Sequence, residues 1–345
     1  MLFTHYIMVK QQNQRFFGVF DMKKILVAGG AGYIGSICSE YMLDLGYDVT
    51  ILDGLFTGHR DAVDPRAQFI HADLADRDKI FEICRKGNFD AVMHFAAFSL
   101  VGESMNLPSK YFRNNLCNAI NLADAAVETG VKAFVFSSTA ATFGIPEAMP
   151  ISESTPQKPI NPYGESKLCF EKVLQWYSQI HGLKYAALRY FNAAGASEAH
   201  GEDHRPESHL IPIILQTLRG KRDKLMIFGD DYDTPDGSCI RDYIHILDLA
   251  QAHEKALYAP ESGCYNLGTG NGLSVKEIIA AAEEVTGKKV NFEVAPRRAG
   301  DPPRLIACSD LARKKLNWQP RHESAHDIIE TAWKWHLKFP DGYEK

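Results

Sequence analysis

A glycine-rich turn between a strand and a helix constrains this chain more than any other feature. Lys23 to Ala28 is a short apolar, strand-forming run, and Gly29, Gly30, Gly32 and Gly35 follow it directly. Apolar residues then recur at helical spacing from Ile34 to Leu45, and a second strand pattern, Asp48 to Leu52, completes a βαβ unit. In that setting the glycines permit a tight turn, let the backbone approach a pyrophosphate, and let the helix pack closely on the strand. The helix N-terminus adds unpaired N–H groups and the positive end of its dipole. Asp53 closes the second strand, where a carboxylate can accept from adenosine ribose hydroxyls and repel a 2′-phosphate. The pattern therefore favours NAD over NADP, although His59 and Arg60 lie near enough to accommodate a phosphate. Asp73, after the third strand, is placed either to accept from the adenine amino group or to serve as an exposed turn carboxylate.

The alternation continues. Strands are expected at Ala67 to His71, Ala91 to Phe95, Ala133 to Ser137 and Tyr185 to Arg189, and helices at Asp76 to Arg85, Ser109 to Thr129 and Tyr163 to His181. Strands alternating with helices predict an α/β fold, a Rossmann-type doubly wound parallel sheet covered on both faces, over residues 22–191. Near Asn192 the rhythm breaks, and residues 192–345 read as a smaller mixed α/β substrate domain with some segments returning to the sheet. Its helices are expected at Ile211 to Arg219, Leu247 to Ala256, Val275 to Thr286 and Ser324 to Phe339. Met22 directly precedes the first strand, so residues 1–21 read as a poorly ordered N-terminal extension outside the fold.

Composition narrows the class. With 345 residues, 45% of them hydrophobic, the chain can bury one large core or two moderate ones. A net charge of -5, with Lys and Arg scattered, gives no nucleic-acid or membrane surface, and no apolar run approaches a membrane span or a secretory signal. Seven cysteines without a C-x-x-C pair support neither a disulfide framework nor a Cys-based zinc site, and point to a reducing, cytoplasmic setting. His200, His204 and His209, with Glu202 and Asp203 between them, resemble a ligand cluster, but Pro206 and the loop composition argue against a fixed ligand face. No metal is expected.

Tyr163 and Lys167 stand one helical turn apart, so a phenol and an ammonium share one face. Lowering a phenol from about 10 to about 7 means favouring the phenolate by about 4 kcal/mol. One cation at about 5 Å and an effective dielectric near 20 supplies roughly 3 kcal/mol. A second positive charge is needed, and an oxidised nicotinamide would bring it. Alone, the spacing equally describes an aromatic stem beside a solvated lysine.

Context decides between these. The strand Phe134 to Thr139 ends in a hydroxyl cluster upstream of Tyr163, and a Ser or Thr followed by Tyr-x-x-x-Lys, after a Gly-x-x-Gly-x-x-Gly turn, resembles the extended short-chain dehydrogenase/reductase superfamily. Within it the chain resembles the UDP-glucose 4-epimerase family over residues 22–345. The resemblance is carried by Gly29 to Ser36, His94 to Ala97, Val101 to Ser104, Arg189 to Asn192, Ile240 to His245, Tyr265 to Gly268 and Arg297 to Asp301.

That resemblance implies a tightly held NAD, a UDP-hexose substrate, and inversion at sugar C4 through a 4-keto intermediate with no net redox. It implies that Tyr163 is the base, Thr139 positions or relays the proton, and Lys167 holds the nicotinamide ribose and lowers the phenol pKa. It places cofactor contacts at Gly29, Gly32, Tyr33, Ile34, Gly35, Asp53, Asp73, Leu74, Phe95, Ala96, Ala97, Asn114, Ser137, Tyr163, Lys167 and Tyr190. It places substrate contacts at Ser99, Thr139, Tyr163, Asn192, His209, Leu210, Met226, Phe228, Arg241, Arg298, Asp301 and Leu305. Arg241 and Arg298 match the phosphate-binding cations, Asp301 the ribose carboxylate and Phe228 the uracil partner. Ser99 and Leu305 stand where family members differ and so bear on which sugar fits. UDP-N-acetylhexosamines, UDP-uronic acids and UDP-pentoses are alternative substrates. A dehydratase would need an acid and a base beside the sugar, and Ala140 and Ala141 stand where an acidic pair is expected. A non-catalytic NAD-binding protein would have no need of Tyr163, Lys167 or Thr139. Members of the superfamily pair through the helices flanking the active site, which implies a homodimer.

Overall fold

The computed structural model describes residues 22–298 and 300–343, so the expectation for residues 1–21 lies outside the described residues. In the first half, strands β1 (Lys24–Ala28), β2 (Asp48–Asp53), β3 (Gln68–His71), β4 (Ala91–His94), β5 (Ala133–Thr139) and β6 (Tyr185–Tyr190) alternate with helices. The helices are α1 (Tyr33–Asp44), α2 (Arg77–Gly87), α3 (Val101–Asn106), α4 (Pro108–Tyr111), α5 (Ala119–Glu128) and α6 (Pro162–His181). Beyond them lie β7 (Asn192–Ala194), α7 (Leu210–Leu218), β8 (Leu225–Phe228), β9 (Ile240–Arg241), β10 (Tyr243–His245), α8 (Ile246–Ala256) and β11 (Gly263–Leu267). The chain ends with β12 (Leu273–Ser274), α9 (Val275–Thr286), β13 (Phe292–Ala295), β14 (Arg304–Leu305), α10 (Asp310–Lys315) and α11 (Ala325–Lys338).

Seven strands form one parallel sheet in the order β11-β6-β5-β4-β1-β2-β3. The order reverses at β1, which pairs with β2 on one side and β4 on the other, and such a switch point opens a crevice at the carboxyl ends of the strands. Both faces are apolar. Ile25, Val27 and Val135 point into a core shared with Ile37 and Met42 of α1 and Leu249 and Ala252 of α8. Leu26, Phe134 and Phe136 point the other way, into a core with Ile80 of α2, Leu122 of α5 and Phe170 and Leu174 of α6. This two-sided burial explains why the strands read as nearly continuous hydrophobic runs. A third core joins α7, α9, α11, β8 and β10 through Ile214, Leu215, Ile227, Tyr243, Ile278 and Ile329. Small sheets edge this region: β13 with β8, β10 with β7, and β12-β9-β14.

The expected elements appear with boundaries shifted by one or two residues, and two differences and one returning strand bear on the site. The helix expected over Ser109 to Thr129 is present, but between α4 and α5 it widens into a π turn, Phe112–Asn118. β5 continues two residues past the apolar run, because Ser138 and Thr139 pair with Arg189 and Tyr190 of β6. The seventh strand, β11, comes from beyond residue 192 and pairs in parallel with β6. No helix among the described residues is long and apolar enough to cross a membrane.

Candidate active site

The expected cofactor residues gather at the carboxyl edge of the sheet. Gly29, after β1, has φ +85°, and a Cβ there would lie 2.3 Å from the Ala96 nitrogen. A Cβ on Gly35 would lie 2.1 Å from the Gly29 carbonyl oxygen, so α1 closes on the turn only because neither residue has a side chain. Gly32 is different: a Cβ there would meet only the Gly29 oxygen, at 3.6 Å. Protein packing leaves its glycine unexplained, whereas a phosphate lying against the backbone explains it. α1 begins at Gly32 without a side-chain cap and without an acidic residue in its first turn, leaving its donors to an anion. The Tyr33 hydroxyl donates to the Gly195 carbonyl at 2.7 Å, and Ile34 is half-buried in that same first turn.

Asp53, at the end of β2, accepts from the Ala31 nitrogen at 2.9 Å and the Leu55 nitrogen at 2.8 Å. Burial raises its pKa, with those two bonds and the nearby histidines acting in the opposite direction. Asp73 accepts from the Ala75 nitrogen at 2.9 Å in the turn after β3, and Leu74 beside it is buried. Phe95, Ala96 and Ala97 follow β4, and the Phe95 and Ala96 nitrogens both donate to the Ala28 carbonyl, at 2.7 and 3.0 Å. The Asn114 amide donates to the Asn115 Oδ1 at 2.9 Å in the π turn. At the ends of β5 and β6 the Ser137 and Tyr190 hydroxyls are hydrogen-bonded to each other.

Tyr163 is placed by the start of α6. Asn161 caps the helix, its Oδ1 accepting from the Gly164 nitrogen at 2.8 Å, and Pro162 occupies the first position, where a missing N–H costs nothing. A Cβ on Gly164 would lie 2.5 Å from the Ala141 carbonyl oxygen. The helix therefore seats directly on the turn Ala140–Phe143 that leaves β5, which brings the Tyr163 phenol beside the Thr139 hydroxyl, itself accepting from the Ala141 nitrogen at 3.1 Å. Burial raises the Tyr163 pKa, and the Thr139 hydroxyl pulls it back in part. Lys167 is 2% exposed, donates to the Ser137 carbonyl at 2.9 Å and lies 4.8 Å from the centre of the Phe136 ring. Burial brings its pKa down to about 7, opposed by the Glu171 carboxylate one turn along. The protein alone thus holds the phenol protonated, because burial outweighs the Thr139 hydroxyl.

Most of the expected substrate residues come from the second half of the chain. The Asn192 backbone nitrogen and side-chain amide both donate to the Asp242 carbonyl, at 3.1 and 2.9 Å. Arg241 on β9 donates to the Ile240 carbonyl at 2.8 Å and pairs with Asp301, and Leu305 on β14 is its strand neighbour. Met226 and Phe228 share the half-exposed face of β8, and the Arg298 guanidinium stacks 4.0 Å from the centre of the Phe228 ring. Ser99 is exposed in the loop after β4. His209 and Leu210 begin α7, but the His209 imidazole turns into its own loop, 2.7 Å from Glu202 Oε1. That loop brings Glu202, His204, Glu207 and His209 together, where the sequence had singled out the two histidines and Glu202 but not Glu207.

Three supporting residues escaped the sequence. Glu171 sits under the site, 4% exposed, accepting from Ser138 Oγ at 2.5 Å, Arg189 Nε at 2.9 Å and Arg189 Nη2 at 2.6 Å. Asn115 bonds the Phe98 backbone in both directions at 2.9 Å and reaches Ser166 Oγ at 3.3 Å, fixing the loop after β4 to α6. Asp242 is wholly buried and accepts from the nitrogens of Thr269, Gly270 and Ala307, at 2.8, 3.0 and 3.0 Å, tying three substrate-side segments together. The four-residue step from Lys167 to Glu171 was the one readable signal.

A glycine turn at the switch point of a parallel sheet, with Thr, Tyr and Lys on the neighbouring strand and helix, defines a nucleotide-dependent epimerase or dehydratase. The chain belongs to the NAD dependent epimerase/dehydratase family, whose model matches residues 25–268, and NAD is its cofactor. It is 52% identical over 328 residues to the UDP-glucose 4-epimerase of Streptococcus mutans serotype c, covering 93% of this chain and 98% of that one. A crystal structure of a UDP-glucose 4-epimerase superposes with a TM-score of 0.92 at 52% identity, covering 94% of this chain and 100% of the other. The Bifidobacterium longum UDP-glucose 4-epimerase, crystallised with NAD+ and UDP, gives a TM-score of 0.88 at 34% identity, covering 93% and 100%.

Proposed function

We propose that this enzyme interconverts UDP-glucose and UDP-galactose by inversion at C4 of the hexose. Bound NAD would supply the hydride acceptance at C4, and the return to the opposite face of the sugar, that such an inversion requires. The open side of Gly32, the uncapped start of α1 and the Asp53 carboxylate fit its pyrophosphate and adenosine ribose. The chain's own work is proton transfer. Tyr163 takes the proton of the C4 hydroxyl, with Thr139 beside it as positioner or relay, and gives it back when the 4-keto sugar is reduced. Lys167 contributes positive charge and a donor on the same helix face. Ala140 and Ala141 line the turn after Thr139 without any acid, so nothing there promotes loss of water.

The single observation that carries this reading is the seating of Gly164 on the Ala141 carbonyl, which brings Tyr163 beside Thr139 with a buried Lys167 one turn along. On the substrate side, Arg241 keeps donors beyond those given to Ile240 and Asp301, since a guanidinium has five. Arg241, Arg298 and Asn192 are assigned to the diphosphate, Asp301 to the uridine ribose and Phe228 to uracil. Leu210 and Met226 are assigned to the same nucleotide, whereas the His209 imidazole stays with Glu202, and Ser99 and Leu305 border the sugar. We assign residues 22–191 to cofactor binding and residues 192–345 mainly to the UDP-sugar.

Pairing of α6 and the α4–α5 helix with those of a second copy fits the apolar residues they expose: Trp176, Ile180 and Leu107 are 63%, 66% and 49% exposed. A cytoplasmic location and a homodimer complete the proposal. Incubating the enzyme separately with UDP-galactose, UDP-N-acetylgalactosamine, a UDP-uronic acid and a UDP-pentose, and identifying products by NMR, tests it. Epimerised UDP-galactose is expected, and turnover confined to another pair would reassign the sugar.

A further inference from the structure

The loop between β7 and α7 brings four ligating side chains to one point. Glu202 Oε1 lies 3.1 Å from His204 Nδ1 and 2.7 Å from His209 Nδ1. Glu207 Oε1 lies 3.4 Å from His209 Nδ1, and Glu207 Oε2 lies 3.9 Å from His204 Nδ1. One ligand atom from each of the four residues fits within a 4.8 Å spread. A tetrahedral zinc ion with bonds of about 2.0 Å to imidazole nitrogen and carboxylate oxygen sets its ligands about 3.3 Å apart. The separations from Glu202 Oε1 and Glu207 Oε1, 2.7 to 3.4 Å, lie around that length, and the fourth, from the other Glu207 oxygen to His204, is longer at 3.9 Å.

Two further observations point to a shared partner. His204 Nδ1 is buried and makes no hydrogen bond, although Glu202 Oε1 lies only 3.1 Å away, so the two are close without the alignment a shared proton needs. The Glu202 and Glu207 side chains, 6% and 4% exposed, face the His204 and His209 imidazoles, and a divalent cation bound among them would take the place of any proton those imidazoles share with the carboxylates. The outer contacts are those of an oriented ligand set. Glu207 Oε1 accepts from the nitrogens of Ser208 and His209, at 2.7 and 2.8 Å. The Tyr33 ring meets His204 edge-on, with centroids 6.2 Å apart.

We propose that Glu202, His204, Glu207 and His209 form a structural site for a divalent transition metal, zinc foremost. With all four positions supplied by protein the site is closed, so its role is to hold the loop rather than to activate water. Because His204 packs on Tyr33, the ion would fix the entry to α7 against the glycine turn.

The test uses the full-length enzyme, stripped with a chelator and dialysed. One equivalent of zinc should bind tightly in competition with a chromophoric chelator, and cobalt(II) should give the intense visible bands of four-coordinate ions. Glu207→Gln and His204→Gln should each weaken zinc at least about tenfold, while the exposed His326→Ala should leave it unchanged. Zinc should also raise the thermal midpoint of the unsubstituted enzyme and not that of Glu207→Gln, a readout available even if His204→Gln fails to fold. The proposal is overturned by a weak six-coordinate cobalt spectrum, by no zinc equivalent bound more tightly to the parent than to Glu207→Gln, or by equal zinc stabilisation of both.

Discussion

Gly164→Ala isolates the contact on which the proposed chemistry depends. The added methyl carbon would lie 2.5 Å from the Ala141 carbonyl oxygen and 2.9 Å from its carbon, both backbone atoms that cannot rotate away. Ordinary contact begins at 3.4 Å, so the start of α6 must withdraw by about 0.9 Å from the turn that carries Thr139. Tyr163 precedes Gly164 and moves with it, while Thr139 stays with β5. A displacement near 1 Å at a proton-transfer site costs roughly 100-fold in rate, and the overpacking about 1–3 kcal/mol of stability. The expected result is a kcat for UDP-galactose lowered about 100-fold, with KM, retained cofactor and far-UV circular dichroism little changed. Gly102→Ala is the control, since a Cβ there meets nothing within 4 Å. A Gly164→Ala enzyme with kcat within about threefold of the parent would refute the reasoning, because the helix would have absorbed the clash without disturbing the site.

Three other outcomes follow from the same coordinates. Tyr163→Phe removes the proton carrier and should lower kcat by at least about 100-fold with retained NAD unaffected, as read by cofactor absorbance; full activity would return the chain to a non-catalytic role. Glu171→Gln leaves Arg189 buried opposite a neutral amide and should cost about 3–5 kcal/mol in urea unfolding, so a loss below about 1 kcal/mol would show the network to be dispensable. Burial holds His94 neutral, with its pKa lowered to about 3. Below pH 6.5 the unfolded chain binds a proton there that the folded chain refuses until about 3, so His94 makes stability fall as pH drops through that window, by up to about 1.4 kcal/mol per unit. His94→Leu should flatten the urea midpoint between pH 6.5 and 4.5, and an unchanged slope would exclude His94 as the cause.

What the sequence made legible is what local chemistry dictates. The strand, glycine turn and helix at Lys24 to Asp44 are specified by residues within one short segment, and Asp53, Thr139, Tyr163 and Lys167 fall where strand ends and a helical step put them. The π turn at Phe112–Asn118 was hidden, because no residue pattern distinguishes one extra residue in a turn from a regular helix. β11 was hard to place, since its five residues join the sheet by pairing with β6, more than seventy positions earlier, and no local period encodes such a partner. Glu171 read as an ordinary helix charge until Arg189, from the adjacent strand, arrived to pair with it. The Glu202–His209 loop was partly legible: His204, His209 and Glu202 stood out as a cluster of ligand types, whereas Glu207 joined them only through a backbone path that Pro206 makes irregular.

The most direct test of the account is incubation of purified enzyme with UDP-galactose and no added NAD. Conversion to an equilibrium mixture with UDP-glucose, with neither UDP-4-keto sugar nor free NADH accumulating, is the predicted result. Absence of UDP-glucose, both without and with supplied NAD, would contradict it.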